Sequence, residues 1–145
     1  MSGVASAGLG PIHHVGYVVA DLDVALAVLG RTFAVAVTHR EVMGVQGVEA
    51  LMCEGGGGAV ELITPLDPQG AIARFMERRG EGFHHVAFAV PDIEAALADL
   101  SSRGVELIDR HGRRGLGGHT VAFLHPRASL GVLTELIEAG HDPGR

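Results

Sequence analysis

The chain has 145 residues, 47% hydrophobic and 19% charged, enough to close one core and too apolar for a disordered segment. Its formal charge is −6, all 11 cations are arginine, and Cys53 is the only cysteine. Lysine Schiff-base chemistry, intrachain disulfides, multi-cysteine metal sites and a basic face for nucleic acid are therefore excluded.

The longest apolar run falls far short of the ~20 residues that span a bilayer. Residues 1–10 lack a charged segment followed by an apolar one, so no signal peptide is expected. The expectation is a cytoplasmic protein without membrane or nucleic-acid partners. Nine histidines ask for chemistry.

A β-branched and aromatic run over 12–19 predicts the first strand. Asp21 then stands where a helix N-cap is wanted. Leu22, Ala25, Leu26 and Leu29 recur at i, i+3, i+4 and i+7, which predicts a helix with one buried stripe. Strand-like runs follow at 34–41, 46–54 and 58–64, the last two separated by Gly55–Gly58. Residues 68–79 read as a linking helix. A second strand–helix pair comes next: 83–90, then Asp92 as cap and the stripe Ile93, Ala96, Leu97, Leu100. Further strands are expected at 105–109, 118–124 and 131–138.

The second half repeats the first. Residues 12–29 and 83–100 align without a gap at an offset of 71, nine of eighteen positions being identical. Val60-Glu61-Leu62-Ile63 returns as Thr134-Glu135-Leu136-Ile137 at an offset of 74. Each half is βαβββ: module one covers about 11–66 and module two about 82–138. Neither could bury both its helix stripe and its sheet alone, so one α+β domain over 1–145 is expected, built from two paired modules.

Strand alternation sorts the histidines. His14 shares a face with Gly16 and Val18, and His85 with Ala87 and Ala89. His13 and His84 share theirs with bulky residues, the face that should meet the helix. The small-residue faces leave room for a cavity, so His14 and His85 are the informative pair. Glu61 and Glu135 stand in strongly apolar strands, where a bare carboxylate costs several kcal/mol and must be paired, protonated or ligated. A pseudo-twofold relation between halves would gather both pairs, and imidazoles with carboxylates suit Zn, Fe, Co, Mn or Ni. His13, His39, His84, His111, His119 and His141 are assigned ordinary structural or surface roles.

The arrangement resembles the vicinal oxygen chelate superfamily, the glyoxalase-like fold, and more narrowly the methylmalonyl-CoA epimerase family. The matching stretches include His14-Val15-Gly16, Gln46-Gly47-Val48, Glu61-Leu62 and Gly80-Glu81-Gly82-Phe83-His84-His85. Phe123-Leu124-His125-Pro126 and Gly131-Val132-Leu133-Thr134-Glu135-Leu136 extend the likeness, which runs from about residue 12 to 138. The resemblance implies an eight-stranded cup around a divalent ion, Co2+ or Mn2+ first, with Zn2+, Ni2+ or Mg2+ as alternatives. Its ligands would be His14, Glu61, His85 and Glu135, the second being Gln or Glu among relatives. The implied reaction inverts the α-carbon of methylmalonyl-CoA through an enolate, with Glu135 also moving a proton. The implied partner is a small acyl-CoA, and the implied assembly a homodimer. The alternatives on this scaffold are a glyoxalase or natural-product isomerase, and a metal-free small-molecule binder.

The chain departs from that family in two places. Some relatives carry a second base two positions after Gln-Gly-Val, where this chain has Ala50. Glu49 is the neighbouring candidate, although it would face the other side unless a bulge shifts the register. Val28-Leu29 replaces an aromatic pair in the first helix, which raises a different or bulkier acyl group. Arg113-Arg114 with Gly115-Leu116-Gly117-Gly118 offers cations and backbone N–H groups to a CoA moiety, or is simply a solvated turn.

Overall fold

In the computed structural model, which describes residues 10–55 and 57–138, the internal repeat becomes two units. One is His14–His84; the other joins residues 10–13 with residues 85–138.

The first unit follows β1 (Ile12–Val18), α1 (Leu22–Phe33), β2 (Ala36–Met43), β3 (Val48–Gly55), β4 (Gly58–Pro65) and α2 (Ala71–Arg79). Its strands lie in the order β2-β3-β4-β1. β1 and β4 are parallel, and the two hairpin pairs are antiparallel. The second unit repeats this with β5 (Gly82–Val90), α3 (Ile93–Ser102), β6 (Arg113–Arg114), β7 (Thr120–Leu124) and β8 (Thr134–Glu138). Its order is β5-β8-β7-β6, with β5 and β8 parallel. Eight strands and three α-helices among the described residues give the expected α+β class of paired βαβββ modules, the glyoxalase-like fold.

Both helices after the opening strands begin as their aspartates predict. Asp21 Oδ1 accepts the Val24 N–H at 2.9 Å, and Asp92 Oδ1 that of Ala95 at 3.0 Å. The predicted stripes face the sheet, with Leu22, Ile93, Ala96 and Leu97 buried and Ala25, Leu26, Leu29 and Leu100 half-buried. Leu22, with Ala25, Leu26 and Leu29 beside it, packs on Val19, Leu51, Cys53 and Leu62. Ile93, Ala96 and Leu97 pack on Val90, Ala122, Leu124 and Leu136. Each fully buried leucine or isoleucine contributes about 1.5–3 kcal/mol over its exposed state. Among the described residues no helix is long and apolar enough to cross a membrane.

The strand expected at 105–109 is a correction. Only Leu107 pairs, by a single bridge to Leu124. The Ile108 and Asp109 N–H groups both donate to the Phe123 carbonyl, while Asp109 Oδ2 accepts the Phe123 N–H at 2.8 Å. A side chain thus takes the place of a ladder partner, and the edge strand forms later, at Arg113–Arg114. The linking helix starts at Ala71 rather than 68, because the Asp67 side chain and carbonyl accept the Gln69 and Gly70 N–H groups in a turn.

Candidate functional site

The faces left free by the helices carry the repeated polar residues. In the first unit Leu51, Cys53 and Leu62 point to α1, so alternation sends Ala50, Met52 and Glu61 to the opposite side. β1 and β4 pair with Gly16 against Glu61, which puts His14, two residues earlier, on the same side as the carboxylate. Gly16 has no side chain to fill the gap. His14 Nε2 lies 3.3 Å from Glu61 Oε1.

The second unit reproduces this register with Ala87 against Glu135. His85 Nε2 lies 3.0 Å from Glu135 Oε1. In both units a parallel pair sets the glutamate beside the small residue two positions after the histidine. The second His–Glu spacing is three residues longer, and the extra length lies in connecting segments, so it does not disturb the register. None of these four side chains is more than 11% exposed.

The environments differ beside the glutamates. Met52 is Glu61's antiparallel neighbour and Phe123 is Glu135's. The Phe123 ring meets His85 edge-on, with centroids 5.6 Å apart, and carries the Arg113 guanidinium 5.4 Å from its centroid. Arg113 is also paired with Asp109, so this arginine of the expected CoA loop is already held by its own unit. Gly117 and Gly118 adopt positive φ of 71° and 83° in the 3₁₀ turn that follows.

The donor chemistry fits a divalent ion. Each of the four residues offers one ligand atom, an imidazole nitrogen or a carboxylate oxygen, the set preferred by Mn, Fe, Co, Ni and Zn. Burial makes the fit specific: a carboxylate withdrawn from water needs a cation or a strong donor to offset its lost hydration.

The other histidines are otherwise engaged. His13 stacks edge-on with His119 and His84 with Phe75, while His111 pairs with Glu94 at the surface. His125 caps a turn by accepting the Arg127 N–H, a role the sequence did not single out. His141 lies outside the described residues. Cys53 is fully buried against α1, and burial pushes its thiol up, away from nucleophilic use.

Glu49 is not brought to this face. The β3–β4 register runs unbroken from Val48 to Gly55, so Glu49 stays on the α1 side, where it accepts from Arg40 Nε at 2.9 Å. Arg40 also binds Asp23 of α1 at 2.8 Å. The Val28-Leu29 departure belongs to the same side. Both line an apolar groove of about 290 Å³ with Tyr17, Val24 and Leu62, on the face of β4 opposite to the one that carries Glu61. The sequence did not single out Glu41. It stands opposite Ala50 on β2, on the Glu61 side, with His39 Nε2 at 3.0 Å from its Oε1. The His-x-Glu spacing inside a strand was its legible signal.

Known proteins share this architecture. A profile of the glyoxalase/bleomycin resistance protein/dioxygenase superfamily matches residues 13–123. The chain is 34% identical over 131 residues to the uncharacterized protein YqjC of Bacillus subtilis (strain 168), spanning 90% of this chain and 94% of that protein. The crystal structure of methylmalonyl-CoA epimerase from Mycobacterium tuberculosis matches with a TM-score of 0.87 and 34% identity, covering 94% of this chain and 93% of that one. A variant of Streptomyces coelicolor methylmalonyl-CoA epimerase in complex with 2-nitronate-propionyl-CoA gives a TM-score of 0.86 and 35% identity, covering 92% and 100%.

Proposed function

The chain belongs to the methylmalonyl-CoA epimerase family of the glyoxalase/bleomycin resistance protein/dioxygenase superfamily and is an enzyme of the epimerase type, and we propose that it inverts the α-carbon of methylmalonyl-CoA. In this reading His14, Glu61, His85 and Glu135 together hold one divalent ion, Co2+ or Mn2+ first, and the two units act as one domain. The observation that supports it is the same buried His–Glu register in both units.

The bound ion supplies positive charge to oxygens of the substrate, where the negative charge of the enolate develops. The protein's own residues do the remaining work. The His14–Glu61 and His85–Glu135 contacts fix each donor before the ion arrives, which lowers the cost of ordering the site. Gly16 and Ala87 keep the floor beside each glutamate low. Glu135 exchanges a proton with the α-carbon, a task a carboxylate performs when it lies within hydrogen-bond reach of that carbon's proton.

The test uses one epimer of methylmalonyl-CoA in D2O, with Co2+ or Mn2+ added to chelator-treated protein. Metal-dependent deuterium incorporation at the α-carbon above the spontaneous rate is expected. Exchange no faster than the spontaneous rate would refute the substrate assignment. A protein that also takes up neither ion by elemental analysis would be a metal-free binder instead.

A further inference from the structure

The duplication makes each helix a control for the other. At the offset of 71, Val24, Ala27, Val28 and Arg31 of α1 stand where α3 has Ala95, Ala98, Asp99 and Ser102. These positions recur at i, i+3, i+4 and i+7, so they form one ridge in each helix, turned away from the core stripe. On α3 the ridge is small and polar, and Asp99 is paired with Arg103 one turn on. On α1 it is apolar: Val24 is 63% exposed, Val28 is 45% exposed, and Ala27 lies exposed between them. An apolar ridge of this kind gains by being covered.

The α1 ridge is complementary to itself. Its N-terminal end is acidic, with Asp21 as cap and Asp23 in the first turn, and Glu81 lines the adjoining groove. Its C-terminal end carries Arg31, exposed in the last turn, where α3 has no basic residue. Two copies of α1 laid antiparallel about a twofold axis between residues 27 and 28 set Ala27 against Val28 and Val24 against Arg31, reciprocally. Val24 then receives the aliphatic stem of the second copy's Arg31, whose guanidinium reaches the acidic end of the helix. Ala27 ends at its Cβ, which lets the axes approach to the ~8 Å of close helix packing. Antiparallel axes also bring the positive end of each helix dipole beside the negative end of the other. A lipid surface is the poorer occupant, because the ridge has one cation and the chain a net charge of −6, whereas helices that lie on membranes are rich in Lys and Arg.

We propose that the outer ridge of α1, formed by Val24, Ala27, Val28 and Arg31, is the docking surface for a second copy of this chain, the two helices packing antiparallel about a twofold axis. The groove lined by Tyr17, Val24 and Val28 flanks the seam in each copy. This pairing draws on the first unit alone and stands whatever reaction the enzyme catalyses.

Sedimentation velocity of the full chain, over a micromolar to millimolar series, reads the association. A reversible dimer is expected. Arg31→Glu, which sets a carboxylate against the acidic end of the second copy, should weaken it at least ~10-fold, the loss of one central interface contact. Ser102→Glu, the matching change on α3, should leave it unchanged. Ala27→Cys should oxidise to a covalent dimer, since the axis brings the two new thiols together, while Ala98→Cys on α3 stays unlinked. Cys53 is fully buried and does not compete. A wild type that stays monomeric throughout overturns the proposal, and so does a dimer that Arg31→Glu leaves equally tight. Failure of Ala27→Cys to link, or equal linking at positions 27 and 98, overturns it as well. If Arg31→Glu loses its helical circular dichroism, the cross-link decides.

Discussion

The two units are copies in backbone and unequal in chemistry. Both set a buried His–Glu pair across a parallel strand pair with one small residue beside the glutamate. Around that shared frame they diverge. The first unit places Met52 beside Glu61, with Ala50 and Glu41 farther out on the same face of three long strands. The second sets Phe123 beside Glu135, with the Arg113 guanidinium over the Phe123 ring, and shortens its edge strand to Arg113–Arg114. Duplication therefore preserved what the register requires and released what surrounds it. Equal roles for the four residues do not follow from equal positions.

The sharpest way to break that comparison is to change the two glutamates in parallel. Glu135→Ala should reduce α-deuterium exchange to the spontaneous rate, a loss of at least ~10²–10⁴-fold if it both ligates and moves the proton. Glu61→Gln keeps an oxygen donor and should retain bound metal and most of the rate. Equal losses for the two variants would show that the units contribute alike and that Glu135 has no separate proton role.

A smaller effect is expected where the units agree. Gly16→Val and Ala87→Val each add methyl groups beside a glutamate and displace the neighbouring histidine. Metal affinity should drop ~10–100-fold in both, measured by competition with a chelating dye. Overpacking should also cost about 1–3 kcal/mol of stability in denaturant titrations. If only Ala87→Val is affected, the register argument holds for one unit alone.

Smaller still are the helix caps. Asp21→Ala and Asp92→Ala should each cost about 1 kcal/mol, because each exposes an N–H group that the carboxylate now accepts. The expected outcome is a similar Tm decrease in both.

The least effect belongs to a surface contact of the second unit. Glu94 accepts the Gly112 N–H and pairs with His111, and these hold its carboxyl below the usual carboxylate value. A lowered carboxyl stabilises the fold above its unfolded pKa, and that contribution disappears as pH falls through the folded one. The Tm difference between wild type and Glu94→Gln should therefore be largest near neutral pH and vanish in acid, as read by thermal melts across pH.

Much of this was legible along the chain. The repeat, both N-caps, both helix stripes and the separation of His14 from His13 and His85 from His84 all follow from local periodicity, which covalent geometry imposes on any strand or helix. The likeness of the two glutamate strands could be seen as well, offset by three extra residues. Pairing was not legible. Whether Glu61 stands beside Gly16 or one residue away depends on how β1 docks on a strand more than forty residues later, and packing against α1 decides that. The same long-range choice kept Glu49 on the helix side, placed Val28 and Leu29 away from the histidines, let Asp109 replace a strand with a side-chain bond, and set Glu41 across from Ala50. The sequence by itself determined which residues are repeated and which way each points within its own strand. Only the tertiary structure decided which of them meet, because register is a property of two segments and alternation of one.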